Sequence, residues 1–330
     1  MSAHLRDESA IRELLRQRTT FVLTTHVNPD GDAMGSEAAL AGFLRDAGKT
    51  ATIINHSPTP AVYDFLDPEN TIRTYDPARD DSLLASADVI VILDANQPDR
   101  VASMERAVLA SPAVKICIDH HLDPHPFANY TLVDDDATST GEIIYRLLTS
   151  IPDVSFSRGV ASALYTAIMT DTGSFRYPRV DAAIHRAVAH LLECGADPVA
   201  LYTNVYERWS PGRIHLLGET LAELKTAAGG RIASVSITRA MLLKTGTAEE
   251  DTDNFTTYPM SLQGVSVGIL FLEVPDGVKI SFRSRGDIPV NELAREFGGN
   301  GHKNAAGARI QGVTLADIEQ RVLNAARNYV

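Results

Sequence analysis

Asp119-His120-His121 stands at the end of the apolar run Val114-Lys115-Ile116-Cys117-Ile118. Ionisable groups at the end of a buried strand are costly to desolvate unless something binds them. The arrangement recurs upstream. His26-Val27-Asn28-Pro29-Asp30-Gly31-Asp32 follows Thr20-Phe21-Val22-Leu23-Thr24-Thr25, and Asp94 follows Val89-Ile90-Val91-Ile92-Leu93. Asp171 ends a further apolar stretch, Tyr165-Thr166-Ala167-Ile168-Met169-Thr170. Carboxylate and imidazole without thiolate suit Mn²⁺, Mg²⁺, Co²⁺ or Fe²⁺ better than structural zinc. The imidazoles move the choice from Mg²⁺ toward Mn²⁺. Two such ions about 3.5–4 Å apart can activate a water and clamp an in-line phosphoryl displacement. The chemistry open to this set is metal-dependent hydrolysis.

Plainer readings exist for each part. A turn followed by a helix cap accounts for one of Asp30 and Asp32, but not for the other or for His26. An aspartate closing a helix opposes the helix dipole, a penalty that a bound cation offsets and that a solvated helix end softens. Delivery of such groups from successive strand ends to one sheet edge is what an open α/β sheet asks of a ligand site.

The elements that must position these residues are legible as hydrophobic patterns. Helices are predicted over residues 7–17 and 31–48, and strands over 20–25, 50–54, 89–93 and 114–118. Nearly unbroken apolar strands suit a parallel sheet covered on both faces. Strand, helix and strand alternate through residue 120, which predicts a doubly wound, mostly parallel α/β sheet. Residues 138–148, 159–169 and 181–194 read as helices, and Pro198 opens the next one. The rhythm then changes. Arg231–Ile237 reads as a strand, and 264–274 with 278–285 reads as a hairpin around Pro275-Asp276-Gly277. Residues 289–297 and 315–328 read as helices. The division expected is a catalytic domain over 1–190, a helical connector over 191–225, and a second, smaller α/β domain over 226–330.

Composition bounds the partners. The 330 residues carry 42 acidic and 30 basic side chains, a formal net charge of −12. A stable complex with duplex DNA, which needs a broad basic surface, is not expected. A short nucleotide in a locally basic pocket is compatible. Cys117 and Cys194 lie far apart in apolar patterns and read as buried free thiols of a reducing compartment. No apolar run reaches the roughly 18 residues of a membrane span, and Met1–Glu8 lacks a leader pattern. A cytoplasmic address is expected.

The second domain carries its own candidates. Gly298, Gly299 and Gly301 permit close approach of backbone amides to an anion, and His302 can donate to a phosphate or a base. A tight turn is the plainer reading of these glycines. Ser281-Phe282-Arg283-Ser284-Arg285 ends a strand, and the planar fork of an arginine such as Arg283 suits phosphate. Ser284 beside it and Arg100 of the first domain are further substrate-contact candidates, with surface roles as their alternatives.

These motifs resemble the DHH phosphoesterase superfamily along nearly the whole chain. The loop at 26–32, Val91-Ile92-Leu93-Asp94, Asp119-His120-His121 and Thr170-Asp171-Thr172-Gly173 match its successive core motifs. Gly298-Gly299-Asn300-Gly301-His302-Lys303-Asn304-Ala305-Ala306-Gly307 is similar to the signature of the DHH-associated domain. The two-domain length is most similar to the nanoRNase/pAp phosphatase (NrnA-type) branch. The resemblance implies one metal on His26, Asp30 and Asp94, and another on Asp32, Asp94, His120 and Asp171, with Asp94 bridging. It implies that His121 faces the substrate phosphate and that Asp119 orients a histidine. Arg283 corresponds to the family's recurrent arginine. The family has glycine where Asn300 stands, and Asn tolerates a left-handed backbone.

The activity implied is Mn²⁺-dependent hydrolysis of short oligoribonucleotides, linear dinucleotides such as pApA, and pAp. The first domain would cut and the second would grip the nucleotide. A homodimer is implied by the family. Alternatives are a cyclic-dinucleotide phosphodiesterase, an inorganic pyrophosphatase or exopolyphosphatase, and a nucleotide-binding sensor without turnover.

Overall fold

The computed structural model describes residues 7–330, so residues 1–6, read above for a leader, lie outside the described residues. The chain divides into two compact units, the first ending at Arg208 and the second running from Trp209 to Val330.

The first unit is built on β1 (Thr20–Thr24), β2 (Thr50–Asn55), β3 (Arg73–Thr74), β4 (Val89–Leu93), β5 (Val114–Asp119) and β6 (Tyr130–Val133). They form one sheet in the order β3-β2-β1-β4-β5-β6. Every pairing in it is parallel. The doubly wound sheet expected from the alternating pattern is therefore present. Strand order reverses between β1 and β4, and the crevice beyond that reversal is where open α/β sheets place ligands.

Helices α1 (Glu8–Gln17), α2 (Gly31–Asp46), α3 (Pro77–Ser86), α4 (Glu105–Ala110), α5 (Thr140–Thr149), α6 (Arg158–Asp171), α7 (Ala182–Glu193) and α8 (Pro198–Tyr206) belong to this unit. β4 is buried along its whole length. Its Val89, Val91 and Leu93 share a core with α2, α5 and α6, while Ile90 and Ile92 pack on the other face with Leu84 and Val108. That two-sided burial is why its sequence has no polar alternation. Helix α2 meets α6 through small residues. A methyl group on Gly35 would lie 2.6 Å from the Ala163 carbonyl oxygen, so only glycine allows this approach.

Some boundaries differ from expectation. Residues 138 and 139 precede α5 rather than join it, because the Ser139 hydroxyl accepts from the Glu142 N–H as an N-cap. Asp181 likewise caps α7. Both cysteines are free, but only Cys117 is buried; Cys194 is half-buried, with its sulfur 3.5 Å from His190 Nε2.

The second unit contains α9 (Pro211–Ala222), β7 (Lys225–Ala227), β8 (Ile232–Ile237), α10 (Arg239–Thr245), α11 (Thr257–Met260), β9 (Val267–Val274), β10 (Gly277–Ser284), α12 (Val290–Glu296), β11 (Asn300–His302), β12 (Ala305–Gln311) and α13 (Leu315–Ala326). Its sheet order is β11-β12-β10-β9-β8-β7. All pairs are antiparallel except β8 with β9. Along β10, Val278, Ile280 and Phe282 are buried against α12 and α13, while Lys279, Ser281 and Arg283 alternate onto the other face.

The glycine-rich segment is not simply a loop. Asn300–His302 pairs with Ala305–Gly307 as an edge strand. Positive φ falls at Gly298 (73°) and Gly301 (144°), not at Asn300. The left-handed tolerance expected of Asn300 is not called upon; its side-chain oxygen instead accepts from the Gly301 N–H at 2.8 Å. Among the described residues, no helix is long and apolar enough to cross a membrane.

Candidate metal centre

The strand ends at the β1/β4 reversal bring His26, Asp94 and Asp119-His120-His121 together. His26 is buried just past β1, and its Nε2 lies 3.3 Å from Asp94 Oδ2. Its Nδ1 lies 2.9 Å from the Val27 carbonyl oxygen, which can only accept, so Nδ1 carries the proton. The neutral ring then presents an Nε2 lone pair to a carboxylate. That pairing is repulsive unless a proton or a cation stands between the two atoms. Burial alone would lower the His26 pKa, but Asp94, Asp30 and the Val27 carbonyl together outweigh it and the net shift is upward.

Asp94 is the hub. It directly follows β4 with a left-handed backbone, φ 57°, and is 2% exposed. Its Oδ1 accepts from the Thr140 hydroxyl at 2.9 Å and lies 3.6 Å from His120 Nε2. Burial would raise its pKa, yet His26, His121 and His120 hold it well below the usual carboxylate range. His120 Nε2 also approaches Asp171 Oδ2 at 3.3 Å and Asp32 Oδ2 at 3.8 Å.

Asp32 is buried in the first turn of α2. Both its oxygens are held by the start of α5: Oδ2 accepts from the Thr140 N–H at 2.7 Å and Oδ1 from the Gly141 N–H at 2.9 Å. A carboxylate is welcome at a helix N-terminus. Even so, burial pushes Asp32 well above its ordinary pKa, and Asp94, Asp171 and Asp30 push the same way. Asp171, the last residue of α6, is raised to about 7 by burial, with Asp30 and Asp94 adding and His120 opposing. Asp30 caps α2 through Oδ1, which accepts from the N–H groups of Asp32 and Ala33. The capping role foreseen as the plainer reading is thus present, and it leaves Asp30 close enough to join His26 and Asp94 as a potential ligand set.

Asp119 is fully buried. Its Oδ1 accepts from the backbone N–H groups of His120 and His121 and lies 2.7 Å from His121 Nδ1. Its Oδ2 is buried without a hydrogen-bond partner. Burial opposes protonation of His121, but the Asp119 bond and the Asp94, Asp119 and Asp171 charges raise it to about 9.

The groups able to hold a cation are His26 with Asp30 and Asp94, Asp32 with His120 and Asp171, and Asp94 with Asp119, His120 and His121. Desolvated carboxylates packed this closely repel one another and take up protons. Divalent cations would relieve that repulsion and would meet the lone pair of His26, so the residues present fit a metal centre.

Sequence reasoning missed the residues that hold this cluster from behind. Thr140 and Gly141 act through a hydroxyl and main-chain N–H groups, which no residue-type pattern announces. The available signal was the helix-start pattern Ser139-Thr140-Gly141-Glu142, a few residues after β6. Asn96 was also missed. Its side-chain amide donates to the His121 carbonyl at 2.8 Å and so ties the turn after β4 to the turn after β5.

The substrate candidates are divided between the two units. Arg100 is exposed in the turn after Asp94, and its carbonyl accepts from the Val27 N–H at 2.8 Å. In the second unit Arg283 and Lys279 line a cavity of about 60 Å³ together with Asp253, Thr256 and Ser281. Ser284 is occupied structurally: it donates to the Ile288 carbonyl and accepts from the Asn304 amide. Gly301 and His302 lie on the exposed β11 edge, and Gly299 is half-buried just before it. Gly301 has a packing reason to be glycine, since a methyl there would lie 2.5 Å from the Ala305 carbonyl oxygen.

Residues 20–168 match the DHH family, N-terminal domain, and residues 226–330 match the DHHA1 domain. The chain is 31% identical over 305 residues to the bifunctional oligoribonuclease and PAP phosphatase NrnA of Thermus thermophilus, covering 92% of this chain and 88% of that one. It is 27% identical over 304 residues to the protein of the same name from Bacillus subtilis, covering 90% and 91%. Among solved structures, an exopolyphosphatase-related protein from Bacteroides fragilis superposes with a TM-score of 0.92 at 32% identity, covering 98% of this chain and 96% of that one.

Proposed function

The chain belongs to the DHH family, and from that premise we propose that it is a divalent-metal-dependent phosphoesterase of short oligoribonucleotides, linear dinucleotides such as pApA, and pAp. The observation that carries the reading is that His26, Asp30 and Asp94 come together as one potential ligand set and Asp32, His120 and Asp171 as another. In this reading these residues hold a pair of ions, Mn²⁺ by the chemistry of the donors. When bound, the ions would supply Lewis acidity and lower the pKa of a water.

The chain's own residues supply the rest. The Val27 carbonyl fixes the His26 tautomer so that Nε2 is free to ligate. The α5 N-terminus and the Thr140 hydroxyl fix Asp32 and Asp94. Asp119 holds His121 by Nδ1, leaving the other ring nitrogen to stabilise phosphoryl charge or to protonate the leaving oxygen. Arg283, Arg100, Gly299, Gly301, His302 and Ser284 remain proposed substrate contacts. Names of two relatives support nucleotide substrates, since both are bifunctional oligoribonuclease and PAP phosphatase. The name of the Bacteroides relative favours a second reading, hydrolysis of polyphosphate.

The deciding experiment is a Mn²⁺ assay over pAp, pApA, a cyclic dinucleotide, oligoribonucleotides of graded length, pyrophosphate and polyphosphate. The reading expects pAp, pApA and the shortest oligomers to turn over fastest. Faster turnover of pyrophosphate or polyphosphate would replace it with the second reading. Tight nucleotide binding without turnover would make the protein a sensor.

A further inference from the structure

Directly behind the metal centre lies a buried polar chain that no ligand role explains. Glu37, on α2, is fully buried. Its Oε2 accepts from Asn55 Nδ2 at 2.8 Å, while Oε1 is buried without a hydrogen-bond partner. Asn55, at the end of β2, is 1% exposed. Its Oδ1 accepts from the Thr25 N–H at 3.2 Å and faces the Thr24 hydroxyl at 3.4 Å. The Thr25 hydroxyl donates to the Leu93 carbonyl at 2.7 Å. Thr25 immediately precedes His26, and Leu93 immediately precedes Asp94. The chain of bonds therefore runs from α2, through β2, to the last peptides of β1 and β4.

The orientation of the Asn55 amide is dictated rather than chosen. The Thr25 N–H can only donate, so Oδ1 must face it, and Nδ2 must then find an acceptor on the other side. Glu37 is that acceptor. An apolar residue at 37 would suit a fully buried helix position better, because an unmet carboxyl oxygen in the core costs free energy. A buried polar chain of this kind is expensive unless its geometry serves something.

We propose that Glu37, acting through Asn55, is a positioning residue that sets the spacing of His26 and Asp94 and so tunes cation affinity. The proposal rests on the metal-centre reading given above. Neither residue touches the ligand atoms; Glu37 holds Asn55, Asn55 holds the Thr25 N–H beside His26, and the Thr25 hydroxyl holds the Leu93 carbonyl beside Asp94. Partners standing behind metal ligands typically change affinity by about 10–100-fold when removed.

The test is Mn²⁺ titration by calorimetry on the full chain, alongside urea unfolding of the metal-free protein. Glu37→Gln keeps an oxygen that accepts from Asn55 and is expected to bind Mn²⁺ within about threefold of wild type. Glu37→Leu strands the Asn55 amide and is expected to weaken binding by about tenfold or more. Glu37→Leu combined with Asn55→Leu removes the stranded amide and leaves one buried donor, the Thr25 N–H, without its acceptor, and the urea titration reads that cost. The folded double variant is expected to bind Mn²⁺ at least about tenfold more weakly. Wild-type affinity in the leucine variants, or equal loss in Glu37→Gln and Glu37→Leu, overturns the positioning role alone. Absence of Mn²⁺ binding by the wild-type protein overturns the metal-centre reading and this inference with it.

Discussion

Asp94 concentrates the account at the scale of single residues. It lies between His26 and His120 and is fixed by Thr140. Its left-handed backbone is one that Asn also tolerates. Asp94→Asn is therefore expected to fold with an unchanged far-UV circular dichroism spectrum, yet to lose hydrolysis of pApA by about 10³-fold or more, as removal of a charge-stabilising group can. Near-normal turnover in Mn²⁺ would contradict the bridging role. The acidic and imidazole residues of this cluster were legible in the sequence because hard donors directly after apolar strands have few other uses. Thr140, Gly141 and Asn96 were not legible. They contribute a hydroxyl, N–H groups and a side-chain amide, whose value comes only from where the fold puts them.

At the scale of elements, the long pieces were readable: β4 and β5 as nearly unbroken apolar runs, α2 and α6 as long apolar stretches of helical length. The strands left unnamed were short or atypical. Arg73–Thr74 has two residues. Ala305–Gln311 is rich in alanine and glycine, and its strand state is imposed by pairing with β10 and β11 rather than by propensity. The α2–α6 contact was equally silent, because its message is the absence of side chains. That contact holds Asp32 and Asp171 near the same imidazole. Gly35→Leu must push the helices apart, since even a methyl would meet the Ala163 carbonyl oxygen at 2.6 Å. Urea unfolding is expected to show a loss of about 1–3 kcal/mol, and calorimetry a weaker Mn²⁺ affinity. Unchanged values in both would remove the close approach from the account.

At the scale of the whole molecule, the metal centre couples to stability. Asp171 is raised to about 7 in the folded chain, above the ordinary carboxylate value near ~3.9. Its protonated form therefore contributes stability that is present at low pH and lost as pH rises through about 7. His121, raised to about 9, acts in the same sense, with its contribution lost as pH rises through that value. The metal-free protein is expected to melt at progressively lower temperature from mildly acidic to alkaline pH. Divalent cations bind the deprotonated forms, so the gap between Mn²⁺-loaded and chelator-treated melting temperatures should widen over the same range. At a hundredfold excess over Kd the added stability is about 2.7 kcal/mol. A melting temperature indifferent to chelator at every pH would contradict this coupling. The most direct measurement is an anomalous difference map from crystals soaked in Mn²⁺. The account predicts a pair of peaks sharing Asp94, one beside His26 and Asp30 and the other beside Asp32, His120 and Asp171. A map without peaks there, or with a peak only at other residues, would contradict it.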